Sequence, residues 1–248
     1  MAIDNIGVIE AESSRLVEAL RANPSARIPW SETWTVSTCA RHVGGVHHVV
    51  TQVINERPVA DFGRFSSLVM PDGDDPALAD WVTAGTSALA QALRSCDRDA
   101  ECWSWWPDGR TAGFWQRRMA QETLIHRWDA ELGAGIDGKA MDPAVAADGI
   151  DEYFDVFAGL TRMLHSAPAG PSIHVHCTDT DGEWLIDLPA DGERVVTHEH
   201  ARGDLALRGP AERLLLTAWG RFDPAAADLD IIGDEDAVAH WAELFPPM

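Results

Sequence analysis

The sequence predicts an α+β protein: an N-terminal helical bundle over residues 1–166, then a smaller α+β domain over 170–248. Three observations carry this. Up to residue 164, apolar residues recur at three- and four-residue steps, the period of helices with one buried side. "HSAPAGPS" then breaks the pattern as a linker would. Beyond it, "SIHVHCTDTDGEWLIDLPADGERVV" alternates apolar and polar residues around turn signals at Asp181-Gly182 and Asp191-Gly192, the texture of paired strands.

Each element follows from local pattern. Residues 4 to 22 form an amphipathic helix with Ile9, Leu16, Val17 and Leu20 inward, and the prolines of "ANPSARIPW" end it. A second helix runs from Thr35, its N-cap, to Arg57, with Val36, Cys39, Val43, Val46, Val50 and Val53 as its stripe. "RPVADFGRFSSLVMPDGDDP" is a long connection without a period. A third helix, Pro76 to Arg94, carries Leu78, Trp81, Val82, Leu89 and Leu93. The Trp-rich loop "CDRDAECWSWWPDGRTAG" leads into a fourth, Phe114 to Leu132, which Gly133 and Gly135 terminate. Pro143 opens a fifth, reaching Leu164. After the paired strands, "DLALRG" is a further short strand, and "PAERLLLTAWGRF" and "DEDAVAHWAELF" are two closing helices.

The totals exclude several function classes. The 248 residues are 46% hydrophobic, enough for a real core, and carry a net charge of −21. Such a surface repels phosphate backbones and anionic lipid, which argues against nucleic-acid and membrane partners. No apolar run is long enough to span a bilayer, and "MAIDNIGVIEAESS" has no signal-peptide pattern, so a cytoplasmic location is expected. Cys39, Cys96, Cys102 and Cys177 form no C-x-x-C pair and read as reduced thiols.

The chemistry concentrates on two helices. In "QETLIHRWDAELGAG", Glu122 and His126 stand four residues apart and leave the same helical face. In "CARHVGGVHHVV", His42 flanks the apolar stripe. Inward side chains on separate helices of a bundle can converge on one metal. His42, Glu122 and His126 would supply two imidazoles and a carboxylate, leaving positions open for water or substrate. By spacing alone a plain helix-surface pair describes Glu122 and His126 better than a metal site does. His47 and His48 read as packed or solvated side chains. Cys39 is within reach of the same metal but fits a small buried apolar residue. Asp129, one turn past His126, is either its orienting carboxylate or part of a solvated face. Gly44 and Gly45 demand a close approach to the second helix, by a neighbouring helix or a ligand. His174 and His176 share one strand face and are geometrically able to bind metal; with no third ligand nearby in sequence, exposed strand positions describe them better. The same domain also contains "HEH" at 198–200.

Two stretches together resemble a known family. "WTVSTCARHVGGVHHVV" and "RRMAQETLIHRWDAELGAG" are similar to corresponding segments of mycothiol-dependent maleylpyruvate isomerase-like proteins, and "HVHCTDTDGEWLID", "GDLALRGP" and "LLLTAWGR" resemble that family's second domain. The resemblance implies a DinB-like four-helix bundle at the N-terminus and a divalent metal, usually zinc, on His42, Glu122 and His126. It also implies mycothiol as the thiol cosubstrate. This chain departs from the family at Glu32-Thr33, Thr38 and Cys39, which alter the helix entry and pocket wall.

The implied reaction is isomerisation of a maleylpyruvate-like acid by reversible addition of a metal-activated thiolate. The partners are then a small thiol and a small carboxylated or electrophilic substrate. An arginine suits the carboxylate through bidentate pairing, and Arg221 in "AWGRF" is the candidate catalytic residue. Arg118 and Arg127 flank the metal segment, where surface carboxylates are alternative partners, and Trp128 is a candidate pocket wall. Two other readings stand beside isomerisation: a mycothiol S-transferase, and a non-catalytic metal- or ligand-binding module.

Overall fold

The computed structural model describes residues 2–57, 68–164, 166, 168–189 and 195–246. The expected turn at Asp191-Gly192, and most of the connection after Arg57, lie outside these residues. Among the described residues, the fold is a helical N-terminal region of four helices followed by a small sheet domain. By its contacts the chain divides into two compact units, Met1–Lys139 and Ala140–Met248.

The first unit holds α1 (Asn5–Ala22), α2 (Val36–Glu56), α3 (Leu78–Arg94) and α4 (Ala112–Ala134). Helix α1 packs on α3 and α4, and α2 packs on the same two, so the cyclic order is α1-α3-α2-α4. This sets α2 beside α4. Both helices start the same way. An isolated bridge, Arg27 to Thr35 or Glu101 to Thr111, fixes the incoming chain, and the threonine at its end caps the helix. At α2 the Thr35 hydroxyl accepts from the Thr38 N–H (3.3 Å), while the Thr38 hydroxyl accepts from the Thr35 N–H (2.7 Å). Thr38 thereby fills the place that Glu or Gln holds in a capping box. Helix α4 runs past Gly133 and ends at Gly135, whose φ of 70° is the left-handed cap.

Two apolar clusters fill this unit. One gathers Ile9, Val50, Val53, Leu89, Leu93, Trp115 and Met119; the other gathers Leu16, Leu20, Val36, Cys39, Val43, Leu78, Val82 and Ala130. Along α2, α3 and α4 a polar layer falls between them. His47 is fully buried, with Nδ1 hydrogen-bonded to Thr86 (3.1 Å) and Nε2 to Thr123 (3.0 Å). The close approach demanded by Gly44 is made by a helix: a Cβ there would lie 2.5 Å from the Trp81 ring of α3. His48 stacks on that same ring, centroids 4.5 Å apart.

The second unit takes α5 (Pro143–Glu152), which the sequence assigns to the bundle domain ending at 166. Its main helical neighbour is α7 (Ala211–Ala218), and no local pattern in α5 reveals that partner. The expected single helix to Leu164 is also interrupted: a π-helical turn, Tyr153–Phe157, separates α5 from α6 (Ala158–Leu164). The turn presents Tyr153, Phe154 and Phe157 to an aromatic cluster with Trp219 and Phe245. Strands β1 (Ile173–Cys177), β2 (Glu183–Asp187), β3 (Val195–Thr197), β4 (Leu205–Gly209) and β5 (Asp230–Gly233) form one sheet, ordered β3-β2-β1-β4-β5. Only the central β1–β4 pair is parallel; the other pairs are antiparallel. Strand β5 is unpredicted by the sequence, because four largely exposed edge residues show no alternation. The last expected helix splits at His240 into α8 (Glu235–Ala239) and α9 (Trp241–Leu244).

All four cysteines are free. Burial pushes the Cys102 thiol up to about 11 and that of Cys177 up to about 12, so neither is a ready nucleophile. Among the described residues, no helix is long and apolar enough to cross a membrane.

Candidate metal centre

The packing of α2 on α4 brings His42 to the face that carries Glu122 and His126. The ligand-capable atoms of the three residues all lie within 4.8 Å of one another. His42 Nε2 is 2.8 Å from Glu122 Oε1, and His126 Nε2 is 3.5 Å from the same oxygen. The two imidazoles meet edge to face, centroids 5.0 Å apart. Trp34, just ahead of the α2 cap, lies against both rings at 5.1 and 5.4 Å. Its side chain is the wall of the site that the sequence reading did not single out. The signal was its place one residue before the cap, which points it back over the first turns of α2.

Each member of the trio is held by further side chains. His126 Nδ1 is 3.0 Å from Asp129 Oδ2. Asp129 is fully buried, and its other oxygen accepts from Trp30 Nε1 at 2.7 Å. Asp129 is therefore the orienting carboxylate and not part of a solvated face. A proton on Nδ1 directed at Asp129 leaves Nε2 with its lone pair toward Glu122 and His42, the tautomer that a metal-ligating histidine needs. Arg118 donates to Glu122 Oε2 at 3.0 Å, leaving Oε1 to face the imidazoles. Cys39 is buried and donates its S–H to the His126 carbonyl (3.4 Å).

The charges are strongly coupled. Burial works against ionised Glu122, but His126, His42 and Arg118 outweigh it and hold the carboxylate well below its usual range. Burial likewise works against charged His126. The carboxylates of Glu122 and Asp129 prevail over it and raise that imidazole well above its usual range. The pocket thus favours positive charge beside Glu122, which a proton or a metal cation can supply. Two imidazoles, one carboxylate, a fixed tautomer and a polarised oxygen fit a divalent cation with open positions.

The other sequence candidates have different surroundings. Arg127 is fully buried: Nε meets Glu12 Oε2 of α1 at 2.5 Å and Nη1 meets Glu131 Oε2 at 2.9 Å. It ties α4 to α1 through carboxylates that are themselves largely buried. Arg118 serves Glu122. Trp128 is half-buried on α4. Arg221 follows α7 in the second unit, where its Nη1 donates to the Trp219 carbonyl at 2.9 Å. His174 and His176, expected as exposed strand positions, instead gather around Glu183.

The fold and these side chains define a class: a four-helix unit that brings a His/Glu/His trio together on two neighbouring helices, continued by a mixed five-stranded α+β unit. The chain belongs to the mycothiol maleylpyruvate isomerase family. The family's "Mycothiol maleylpyruvate isomerase N-terminal domain" matches residues 7–131, and its "MDMPI C-terminal domain" matches residues 144–240. Among solved structures, the chain is similar to the mycothiol-dependent maleylpyruvate isomerase at 15% identity with a TM-score of 0.56. A histidine-to-alanine mutant of that enzyme gives 14% identity and 0.59. Both alignments cover 92% of this chain and 91% of the other, and at these identities the likeness speaks to the fold alone. No curated protein matched the chain.

Proposed function

We propose that the chain is a metal- and mycothiol-dependent cis-trans isomerase of the maleylpyruvate isomerase type, with His42, Glu122 and His126 holding a divalent cation, zinc by preference. The supporting observation is the convergence of these three side chains from segments 80 residues apart, with Asp129 fixing the tautomer of His126. A divalent cation there supplies the charge that stabilises a thiolate at neutral pH, where a free thiol of pKa about 8.5 is mostly protonated.

The chain's own residues set up the rest. Arg118 keeps Glu122 ionised, and Asp129 with Trp30 holds the His126 ring still. Trp34 shields one side of both imidazoles from water. Addition of the thiolate to a double bond conjugated with a carbonyl leaves a rotatable single bond, and its loss returns the trans isomer. Arg221 is the proposed partner of the substrate carboxylate, by bidentate pairing.

The test is metal content and turnover in one set of proteins. His42→Ala and Glu122→Ala should each lose one equivalent of metal and the thiol-dependent activity; unchanged stoichiometry in both would refute the ligand assignment. Incubated with mycothiol and a maleylpyruvate-type acid, the wild-type chain should return the trans isomer with the thiol regenerated. Consumption of the thiol indicates an S-transferase, and no thiol-dependent turnover indicates a non-catalytic binding module.

A further inference from the structure

The sheet of the second unit carries another group of ligand-capable side chains. His174 and His176 stand two residues apart on β1 and so project from one face, opposite the buried Ile173, Val175 and Cys177. Glu183 on β2 pairs directly with His176 in the antiparallel ladder, which sets its side chain on that same face. Strand β3 pairs with β2 so that Leu185 opposes Thr197. The chain leaving β3 therefore runs toward the end of β2 that carries Glu183, and His200 reaches over it.

Three imidazole nitrogens converge on a single oxygen. His174 Nε2, His176 Nδ1 and His200 Nδ1 lie 2.9, 2.8 and 2.5 Å from Glu183 Oε1. All four ligand atoms fall within 4.8 Å of one another. As hydrogen bonding alone this is crowded. One carboxylate oxygen offers about two lone pairs, and here three donors address it. A cation among the four resolves the crowding, because each imidazole then presents a lone pair instead of competing to donate. For zinc bonds of about 2.0–2.2 Å, tetrahedral ligands stand roughly 3.3 Å apart. The His174 and His176 contacts at 2.9 and 2.8 Å reach that spacing by outward shifts of about half an ångström or less, and the His200 contact at 2.5 Å by about 0.8 Å. Glu183 and His200 have room for this, with side chains 22% and 83% exposed.

We infer that His174, His176, Glu183 and His200 form a second metal site, for a borderline divalent transition ion such as zinc. The ligand chemistry selects the ion: three imidazoles and one carboxylate suit zinc, nickel or copper, whereas calcium and magnesium require mostly oxygen. Four protein ligands close the coordination sphere, the form of a structural site and not of a catalytic one. Its role is to fasten the segment after β3 onto the β1–β2 pair. The site is independent of the bundle trio and of the proposed isomerase activity.

The test separates the two sites within the full-length protein. Metal-free protein carrying His42→Ala and Glu122→Gln, which disable the trio, is titrated with zinc alone, with elemental analysis of the dialysed product. One equivalent should remain bound. Adding His176→Ala or His200→Ala should abolish it, weakening affinity beyond the roughly 10–100-fold that outer-shell partners of a metal are worth. His200 is at the surface, so its variant tests the ligand without disturbing the core. Should the trio variant fail to fold, wild type is compared with His200→Ala alone, and one equivalent of zinc should be lost. The inference is overturned if the folded trio variant binds no zinc, or if neither His176→Ala nor His200→Ala changes the bound zinc.

Discussion

The bundle trio and the sheet quartet use the same side chains in opposite settings. In the trio, a carboxylate and two imidazoles come from helices far apart in sequence, and two of the three are largely buried. Every member is braced: Glu122 by Arg118, His126 by Asp129, and both imidazoles by Trp34. In the quartet, the ligands come from neighbouring strands and the segment just after them, and His200 is mostly in water. Burial makes unpaired charge expensive, so the trio needs its supporting shell to exist at all. The quartet is half-buried apart from the exposed His200, and there a fourth ligand supplies what the shell supplies in the trio.

The comparison breaks most visibly if neutralising the two carboxylates has equal effects. In metal-free protein, Glu122→Gln removes the largely buried negative charge that Arg118, His42 and His126 share. Breaking a buried pair in this way costs about 3–5 kcal/mol, and urea denaturation at neutral pH should show it. His47 gives the next largest effect. It shares α2 with His42 but belongs to neither cluster, and burial lowers its pKa from 6.5 to about 4. Above about pH 6.5 neither the folded nor the unfolded chain binds this proton. Between about 6.5 and 4 the unfolded chain takes it up and the folded core refuses it, so stability falls as the pH falls. Below about 4 the loss is complete, at about 3 kcal/mol. A denaturation series from pH 8 to 4 should follow this curve, and His47→Gln should flatten the part between.

A smaller effect separates supported from unsupported ligands. Asp129→Asn keeps the shape around His126 but weakens the bias on its tautomer. Metal affinity at the trio should fall about 10–100-fold, with zinc at the quartet unchanged. Asp129 also marks the limit of what the sequence discloses. The trio was legible because helical spacing places Glu122 and His126 on one face, and because His42 flanks a clear apolar stripe. The burial of Asp129 was not, since α4 looks polar: it buries Arg118, Gln121, Thr123, Arg127, Asp129 and Glu131. Arg127 meets Glu12, Glu131 meets Arg15, Thr123 meets His47 and Asp129 meets Trp30, all on other elements, and no periodicity of apolar residues records that. The quartet was half legible. "HVH" announces two ligands on one strand face, but Glu183 and His200 join them only through the β1–β2 and β2–β3 registers, which the local sequence does not state. The placement of α5 with α7 was hidden for the same reason: a helix names its buried face, not the partner that covers it.

The smallest expected effect is the sharpest control. Glu183→Gln in metal-free protein removes the charge at the centre of the quartet while keeping an amide oxygen for the imidazoles to donate to. Glu183 and its partners are reached by solvent, so water and ions take over much of the lost interaction. Exposed ion pairs of this kind contribute at most about 1 kcal/mol. The urea midpoint should barely move, in contrast to the large shift for Glu122→Gln. The zinc-dependent stabilisation of the same variant should nonetheless disappear, because an amide oxygen is a far weaker ligand than a carboxylate. A large loss of stability without metal would mean that the carboxylate holds the sheet together by itself, and the contrast between the two clusters would then be one of position alone.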